Sequence, residues 1–232
     1  MTILSLDTSS ASGSAAILRD GAILVERRGD AARTHGERLP RELMDLLDAA
    51  GLRLDEIDRF AVAIGPGSFT GLRIGIATVQ GLALAAGKLV TPVSTFDALR
   101  ISAGLSDTAI AVWIDAHRGE VFAMLYGADG RVQHEPTSLP PDATLDAWAL
   151  ALAPLSSVRF AGDGAVKYRD AIERRIGGAA TIAPAVPPLA AVIASIADAA
   201  PDRGVRPHAV APLYVRRSDA ELARDRRRRG GA

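Results

Sequence analysis

A glycine-rich turn followed by a long apolar helix constrains this chain more than any other feature. Residues 65–75 read Gly-Pro-Gly-Ser-Phe-Thr-Gly-Leu-Arg-Ile-Gly, and they join a short apolar strand to a helix predicted over Phe69–Ala86. Gly65 and Gly67 allow a tight turn, because glycine has no Cβ to obstruct the backbone. Ser68 is a candidate N-cap for the helix. The sequence therefore predicts a tight turn that brings the start of the helix close to a neighbouring segment.

A phosphate-binding loop is the alternative interpretation of this turn, but its spacing does not match the known loops. A Walker loop needs Lys followed by Ser or Thr, where this chain has Leu72 and Arg73. A dinucleotide fingerprint needs glycine where this chain has Thr70. We therefore favour the tight turn over the phosphate cradle.

The helix that follows is apolar nearly all round, since Arg73, Thr78 and Gln80 are its only polar side chains after Gly71. A helix on the surface of a sheet normally has one polar face, so a second element should cover this one. Either its own domain or another subunit could do so, and we favour a subunit interface. Arg73 and Gln80 lie too centrally for a membrane span, so no membrane partner is expected. Small residues one turn apart would let a second helix approach closely: Gly71 with Gly75, and Gly81 with Ala85.

Composition excludes several classes of protein. Across 232 residues, 27 basic side chains balance 27 acidic ones, so no overall field attracts nucleic acid or an anionic membrane. The chain has no cysteine, which excludes disulfides, thiolate zinc sites and a cysteine nucleophile. No export signal is apparent at the start of the chain, and we expect a cytoplasmic location.

The chain divides into two similar halves. Each half opens with a strand that ends in aspartate, a tight turn and an antiparallel strand, and Ile3–Asp7 is echoed by 111–115. A duplicated α/β domain is the natural explanation. We predict an N-terminal domain over 1–104, a smaller C-terminal domain over 105–216, and a disordered Arg-rich tail over 217–232.

Several segments resemble the TsaB (YeaZ) family. They are the opening Leu-Ser-Leu-Asp-Thr-Ser-Ser, residues 34–39, residues 65–75, residues 114–121, Gly162-Asp163-Gly164 with Tyr168-Arg169, and Pro212–Arg216. The resemblance implies an actin-like fold of the sugar kinase/Hsp70/actin class. It also implies a non-catalytic role in forming N6-threonylcarbamoyladenosine at position 37 of tRNAs that read codons starting with A. The implied partners are the catalytic subunit TsaD, the ATPase TsaE and, through the complex, tRNA.

The residues themselves support a subunit without catalytic residues or metal. The catalytic relative carries a His-x-x-x-His metal pair, and alignment on the shared Pro-Val places Thr95 and Leu99 there. A leucine side chain cannot bind a metal ion, and a neutral threonine hydroxyl is a poor ligand. His35 and Glu37 invite a metal interpretation, but Glu37 lies three residues after Thr34 and predicts a capping box instead.

Two other functions remain as alternatives. An ATP-binding small-molecule kinase of the same fold would use Asp7, Thr8 and Ser9 at the first hairpin, and Asp115 would hold magnesium through water. Glycine comes late in both hairpins, so we expect at most weak binding of ATP with magnesium and no required cofactor. A glycoprotease of the M22 type is less favoured, because the chain has no peptidase motif.

Two helices are predicted to form an apolar pad that binds the partner. In isolation, two copies of the same pad would pair in a homodimer, because burying exposed apolar surface is favourable. On this prediction, Leu72→Asp or Ile76→Asp would abolish both assemblies without unfolding the monomer. The predicted pad comprises Leu39, Leu43, Leu46 and Leu47 on a helix near Glu37–Ala50, and Phe69, Leu72, Arg73, Ile76, Val79 and Gln80 on the glycine-turn helix.

Overall fold

The computed structural model describes residues 1–104 and 107–216, which form two β-sheets with helices around and between them. The strands are β1 (Thr2–Asp7), β2 (Ser14–Arg19), β3 (Ala22–Arg28), β4 (Arg59–Gly65), β5 (Leu89–Ser94), β6 (Ala109–Asp115), β7 (Val121–Tyr126), β8 (Val132–Leu139), β9 (Val158–Ala161) and β10 (Ala180–Ile182). The helices are α1 (His35–Ala50), α2 (Phe69–Ala86), α3 (Thr95–Ser102), α4 (Pro141–Ala147), α5 (Ala149–Leu152), α6 (Asp163–Lys167), α7 (Arg169–Ile176) and α8 (Ala190–Ala199). The predicted Arg-rich tail lies outside the described residues.

The two sheets have the same topology. The first has the strand order β3-β2-β1-β4-β5, and the second has the equivalent order β8-β7-β6-β9-β10. In each sheet the central strand is antiparallel to the strand that follows it in sequence and parallel to the next crossover strand. The predicted duplication of an α/β unit is therefore confirmed. Asp7 and Asp115 end equivalent strands, β1 and β6.

Helices cover both faces of the first sheet. On the outer face, α1 and α2 pack their apolar sides against Leu4, Leu6 and Ile17. On the inner face, α3 and α8 share a core with Ile3 of the first sheet and Val112 of the second. The second sheet buries its other face against α4 and α7, in a cluster built on aromatic side chains: Trp113, Trp148 and Phe160. α3 and α8 therefore form the floor of the cleft between the two sheets.

The division into domains differs from the sequence prediction at one point. The predicted C-terminal domain included all of 105–216, but α8 packs on β1 and β2 of the first sheet. Ser14 accepts hydrogen bonds from the N–H groups of Leu189 and Ala190, and Ser5 donates to the Ala190 carbonyl at 2.7 Å. Val205 then pairs with Val90 on β5. Residues 189–213 therefore pack on the N-terminal half. No local sequence pattern predicts this long-range contact.

By length and composition, α2 alone among the described helices could cross a membrane. A core helix passes the same test, and α2 behaves as one on its inner side. Ile76, Val79 and Ala83 are buried against the first sheet, and Leu72 is buried beside Gly65.

Candidate functional site

The glycine turn clamps the start of α2 onto the loop after β1. Ser68 donates its backbone N–H to the Ser9 carbonyl at 2.7 Å. Its hydroxyl accepts the N–H of Gly71 at 3.2 Å, so the predicted N-cap is confirmed. A Cβ at Gly67 would overlap the Ser9 backbone, so glycine is needed there for the close approach. The turn thus serves tight packing, as the favoured interpretation predicted.

Two glycines of α2 face inward, and the nearest atoms to both belong to Thr8. A Cβ on Gly71 would overlap the Thr8 carbonyl oxygen, and one on Gly75 would overlap the Thr8 hydroxyl. Their predicted role in helix–helix approach is therefore wrong, because they make room for the strand end beneath them. Gly81 has open space around its missing Cβ, so the second predicted pair does lie on an accessible face.

Most of the predicted docking residues are buried inside the chain. The four predicted leucines of α1 and two predicted residues of α2 belong to the core between these helices and the first sheet, and Leu72 is buried beside Gly65: Leu39, Leu43, Leu46, Leu47, Ile76, Val79 and Leu72. The regular spacing of the α1 leucines therefore results from contact with their own sheet. These seven side chains cannot form an exposed pad, and that part of the prediction is corrected.

A different side of α2 is exposed. Phe69, Arg73, Ala77, Gly81 and Leu84 recur at intervals of three or four residues, so they share one face of the helix. All five are exposed, and Leu84 has 74% of its surface accessible. We call this stripe the α2 outer face. It is predominantly apolar.

The C-terminal segment meets the α2 outer face. The Tyr214 ring stacks on Phe69 with 5.3 Å between centroids, and the Arg73 guanidinium lies 4.0 Å from the centre of the Phe69 ring. Arg73 also donates to the Tyr214 hydroxyl at 3.1 Å. Gln80 donates to the carbonyls of Pro207 and Val210 at 3.0 Å each, so it anchors the same segment. Of the predicted docking residues, Phe69 and Arg73 are therefore accessible, and Gln80 is half-buried.

Residues 213–216 connect the two halves. Leu213 donates its N–H to the Ile64 carbonyl at the end of β4. Arg216 donates to Glu120 at 2.8 Å and to the Ala116 carbonyl at 2.9 Å, both at the β6–β7 hairpin. Hydrogen bonds from Ser138 and Arg216 hold the pKa of Glu120 below its usual range. The segment thus ties the glycine turn to the second hairpin.

A cleft of about 590 Å³ lies between the sheets. Of the residues predicted for a nucleotide, Asp7 and Ser9 line it, together with Ser10, Ser12 and Gly13 of the same loop. Thr8 lies under α2 instead, and Asp115 lines a separate pocket beside residues 213–216. The structure therefore brings together only part of the predicted set.

Asp7 is held entirely by its own loop. The side chain is 3% exposed, and its carboxylate accepts the Ser9 N–H at 2.8 Å. Burial raises the pKa of Asp7, because a desolvated carboxylate favours its neutral form.

Asp115 forms an ion pair with Lys167, a residue to which no sequence pattern assigned a role. The Lys167 ammonium lies 2.7 Å from Asp115 Oδ2, and the His117 backbone N–H donates to Oδ1 at 3.0 Å. Asp163 accepts the Asp115 N–H at 2.9 Å and thereby fixes the hairpin against α6. Hydrogen bonding to Asp115 raises the pKa of Lys167. The only local signal was that Lys167 lies inside the 162–169 motif.

His35 and Arg38 pin the loop that lines the cleft. The predicted capping box is present, since Glu37 accepts the Thr34 N–H at 2.9 Å. His35 is the first residue of the helix. Its Nε2 lies 2.9 Å from the Ser10 carbonyl, and its Nδ1 lies 2.7 Å from the Arg38 guanidinium. Because Arg38 can only donate, Nδ1 accepts and Nε2 carries the proton. His35 is therefore neutral and serves the loop, not a metal.

We expect stability to depend on His35 at mildly acidic pH. Burial, reinforced by Arg38, lowers the pKa of His35 below 6.5, so below this pH the unfolded chain takes up a proton that the folded chain resists. The free energy of unfolding should fall as pH drops from about 6.5 to the folded pKa. His35→Gln should remove this component, seen as a smaller loss of Tm between neutral and mildly acidic pH. Equal pH dependence of the two proteins would contradict the assignment.

Thr95 and Leu99, which the family resemblance aligned with the metal pair of the catalytic relative, both lie on α3 and line the cleft. The Thr95 hydroxyl is buried and has no hydrogen-bond partner among the described residues. Within residues 1–104 and 107–216, no three His, Cys, Asp or Glu side chains are grouped so that they could hold a metal ion.

Comparisons with known proteins agree with this fold. The family model described as TsaD, tRNA N6-adenosine threonylcarbamoyltransferase, matches residues 29–150. The protein named TsaB of Escherichia coli is 37% identical over 131 residues, which is 56% of this chain and 56% of that protein. TsaB of Bacillus subtilis is 32% identical over 126 residues, covering 54% of this chain and 55% of the relative. The chain thus spans about half the length of these curated relatives.

Longer matches cover nearly the whole chain. An uncharacterised protein of Mycobacterium tuberculosis is 31% identical over 225 residues, with 95% of this chain and 94% of the relative covered. The structure of YeaZ from Pseudomonas aeruginosa superposes with a TM-score of 0.77 and 32% identity, covering 92% of this chain and 99% of that one. The ethanolamine utilization protein EutJ of Carboxydothermus hydrogenoformans, with a TM-score of 0.50 and 12% identity over 85% of this chain and 89% of that one, shares the fold alone. The actin-like fold is confirmed, and the chain belongs to the TsaB (YeaZ) family.

Proposed function

We propose that this protein is a non-catalytic subunit of the system that forms N6-threonylcarbamoyladenosine in tRNA. The names of its relatives support this pathway, since they are called tRNA threonylcarbamoyladenosine biosynthesis proteins. Leu99, at the position of a metal ligand in the catalytic relative, supports a non-catalytic role, because a hydrocarbon side chain cannot bind a metal ion. In this proposal the protein needs no cofactor, acts in the cytoplasm and meets tRNA through its partners.

The observation that carries the docking proposal is the α2 outer face. It presents exposed apolar and small side chains in a row, and an apolar helix face of this kind marks a protein interface. The aromatic stack of Phe69 and Tyr214, with Arg73 against it, lies at one end, and such residues commonly anchor interfaces.

The proposed partner is the threonylcarbamoyltransferase itself. The TsaD family model matches residues 29–150, a stretch that includes α1 and α2, so the transferase carries related helices. A transferase of Chelativorans is 39% identical to this chain over 77 residues, which is 33% of this chain and 21% of that protein. Related helix faces could pack against each other about a pseudo-two-fold axis, and two copies of this chain could do the same. We therefore propose a heterodimer with the transferase, joined by the TsaE ATPase, and a homodimer when the partner is absent.

Exposed residues of the α2 outer face provide the test. Leu84→Asp and Ala77→Arg should leave the fold intact, because both side chains lie at the surface. Either change should abolish co-elution with the transferase on a sizing column, since a charge would be desolvated in an apolar interface. Modification of tRNA in a reconstituted reaction with the transferase and the ATPase should fall with it.

Leu150→Asp is the matched control. Leu150 is 93% exposed on α5, so the same leucine-to-aspartate change is made away from α2. It should leave complex formation and tRNA modification unchanged. A complex that survives both α2 substitutions would refute the docking face. Full tRNA modification without this protein would refute the proposed function.

A further inference from the structure

The actin-like fold raises the question of a magnesium–nucleotide complex in the cleft, and the donor groups present do not fit one. Magnesium in nucleotide sites is held through carboxylates and water, together with the phosphates. The two carboxylates at equivalent strand ends, Asp7 and Asp115, are the candidates for this task. Both already have other partners.

Contacts within the protein hold the loop of the first hairpin in place. Asp7 is buried and bonded to Ser9, and Gly13 packs back against it, since a Cβ there would overlap the Asp7 carbonyl oxygen. Arg38 donates to the carbonyls of Ala11 and Ser12, which fixes the loop from the α1 side. Two N–H groups of this loop, those of Ser9 and Gly13, donate within the loop itself and are therefore not available to phosphate oxygens.

The second hairpin already contains a cation. The Lys167 ammonium contacts Asp115 Oδ2 at 2.7 Å and lies 5.2 Å from the centre of the Tyr168 ring. The Asp115 side chain is 14% exposed and the Lys167 side chain is 48% exposed, so the carboxylate is shielded while the ammonium keeps contact with solvent. His117 Nδ1 lies 3.5 Å from the same oxygen, and Asp163 braces the hairpin from α6. Lys167 lines the cleft, and Asp115 lines the pocket beside residues 213–216, so the ammonium bridges the cleft and the carboxylate.

We propose that Lys167 takes the place of the divalent cation in this cleft. The built-in ammonium gives Asp115 a counter-charge without a metal ion, so the cleft does not take up magnesium or a magnesium–nucleotide complex. The expectation of weak ATP binding with magnesium is thereby replaced by a metal-independent cleft. The inference concerns the cleft alone and does not rest on the proposed docking function.

The lysine content makes a direct test simple. Lys88 and Lys167 are the only lysines, so protein labelled with 13C-lysine gives two Cε signals, assigned by Lys88→Arg. Paramagnetic Mn²⁺ broadens the signals of nearby nuclei. In the wild-type protein, Mn²⁺ alone or with ATP should broaden both signals to the same extent. Selective broadening of the Lys167 signal would overturn the proposal.

Removing the ammonium should create a cation site. In Lys167→Met, Asp115 loses its counter-charge, and Mn²⁺ affinity measured by electron paramagnetic resonance should rise about tenfold or more. Amide signals of Asp115 and Asp163 should then broaden selectively. Lys88→Met removes the same charge from a different part of the protein, and it should not gain affinity for Mn²⁺. If Lys167→Met is folded and gains none, the proposal is wrong; if it does not fold, the wild-type lysine spectra decide.

Discussion

Gly71→Ala should lower the free energy of unfolding by about 3 kcal/mol. The added Cβ would penetrate the backbone carbonyl of Thr8, which β1 holds in place, so the helix must move away from the sheet. The higher helix propensity of alanine, worth ~1 kcal/mol, cannot offset this overlap. Urea unfolding followed by circular dichroism measures the change.

Gly81→Ala is the matched control on the same helix. Its Cβ would meet no atom within 4 Å, so only the helix propensity changes. We expect it to stabilise the protein by about 0.8 kcal/mol. Both substitutions add one methyl group to a glycine of α2, and only the atoms near that methyl group differ. Equal effects of the two substitutions would mean that α2 does not lie on Thr8 as described.

Leu72→Asp should unfold the protein, although the sequence alone suggested a harmless surface change. Leu72 is 1% exposed, within the core side of α2. A carboxylate without a partner there costs about 4 kcal/mol or more, which is most of the stability of an ordinary domain. Loss of the cooperative thermal transition would verify this result.

Leu84→Asp makes the same change twelve residues later, where the side chain is 74% exposed. Its effect on stability should stay within about 0.5 kcal/mol. Reversed stabilities of the two variants would show that the buried and exposed sides of α2 have been exchanged. The pair therefore tests the orientation on which the docking proposal depends.

Local chemistry was enough to predict much of the fold. Asp20-Gly21 between two apolar runs is a local hairpin signal, and the structure has strands over 14–19 and 22–28 on either side of it. Caps are equally local, which is why Ser68 and the box of Thr34 with Glu37 were identified. Duplication could be predicted because two strands ended in the same way.

The orientation of α2 could not be predicted, because a helix that is apolar nearly all round carries no periodic signal for its buried side. The leucines of α1 did carry one, but burial against the chain's own sheet and burial against a partner give the same spacing. Contacts between residues far apart in the sequence also could not be predicted. Lys167 and Asp115 are separated by 52 positions, and Tyr214 and Arg73 by 141. The short edge strand β10 was missed because its three residues show no pattern.

The hydrogen bond from Ser5 to the Ala190 carbonyl spans 185 positions and lies in the core. On a ribosome that adds about 5–20 residues each second, the first sheet must therefore wait roughly 10–40 s for α8, the second of the two helices on its inner face. During that interval only α3 is present to cover the apolar inner side of β1, including Ile3. We therefore expect the nascent N-terminal half to keep part of its core exposed until translation has passed α8.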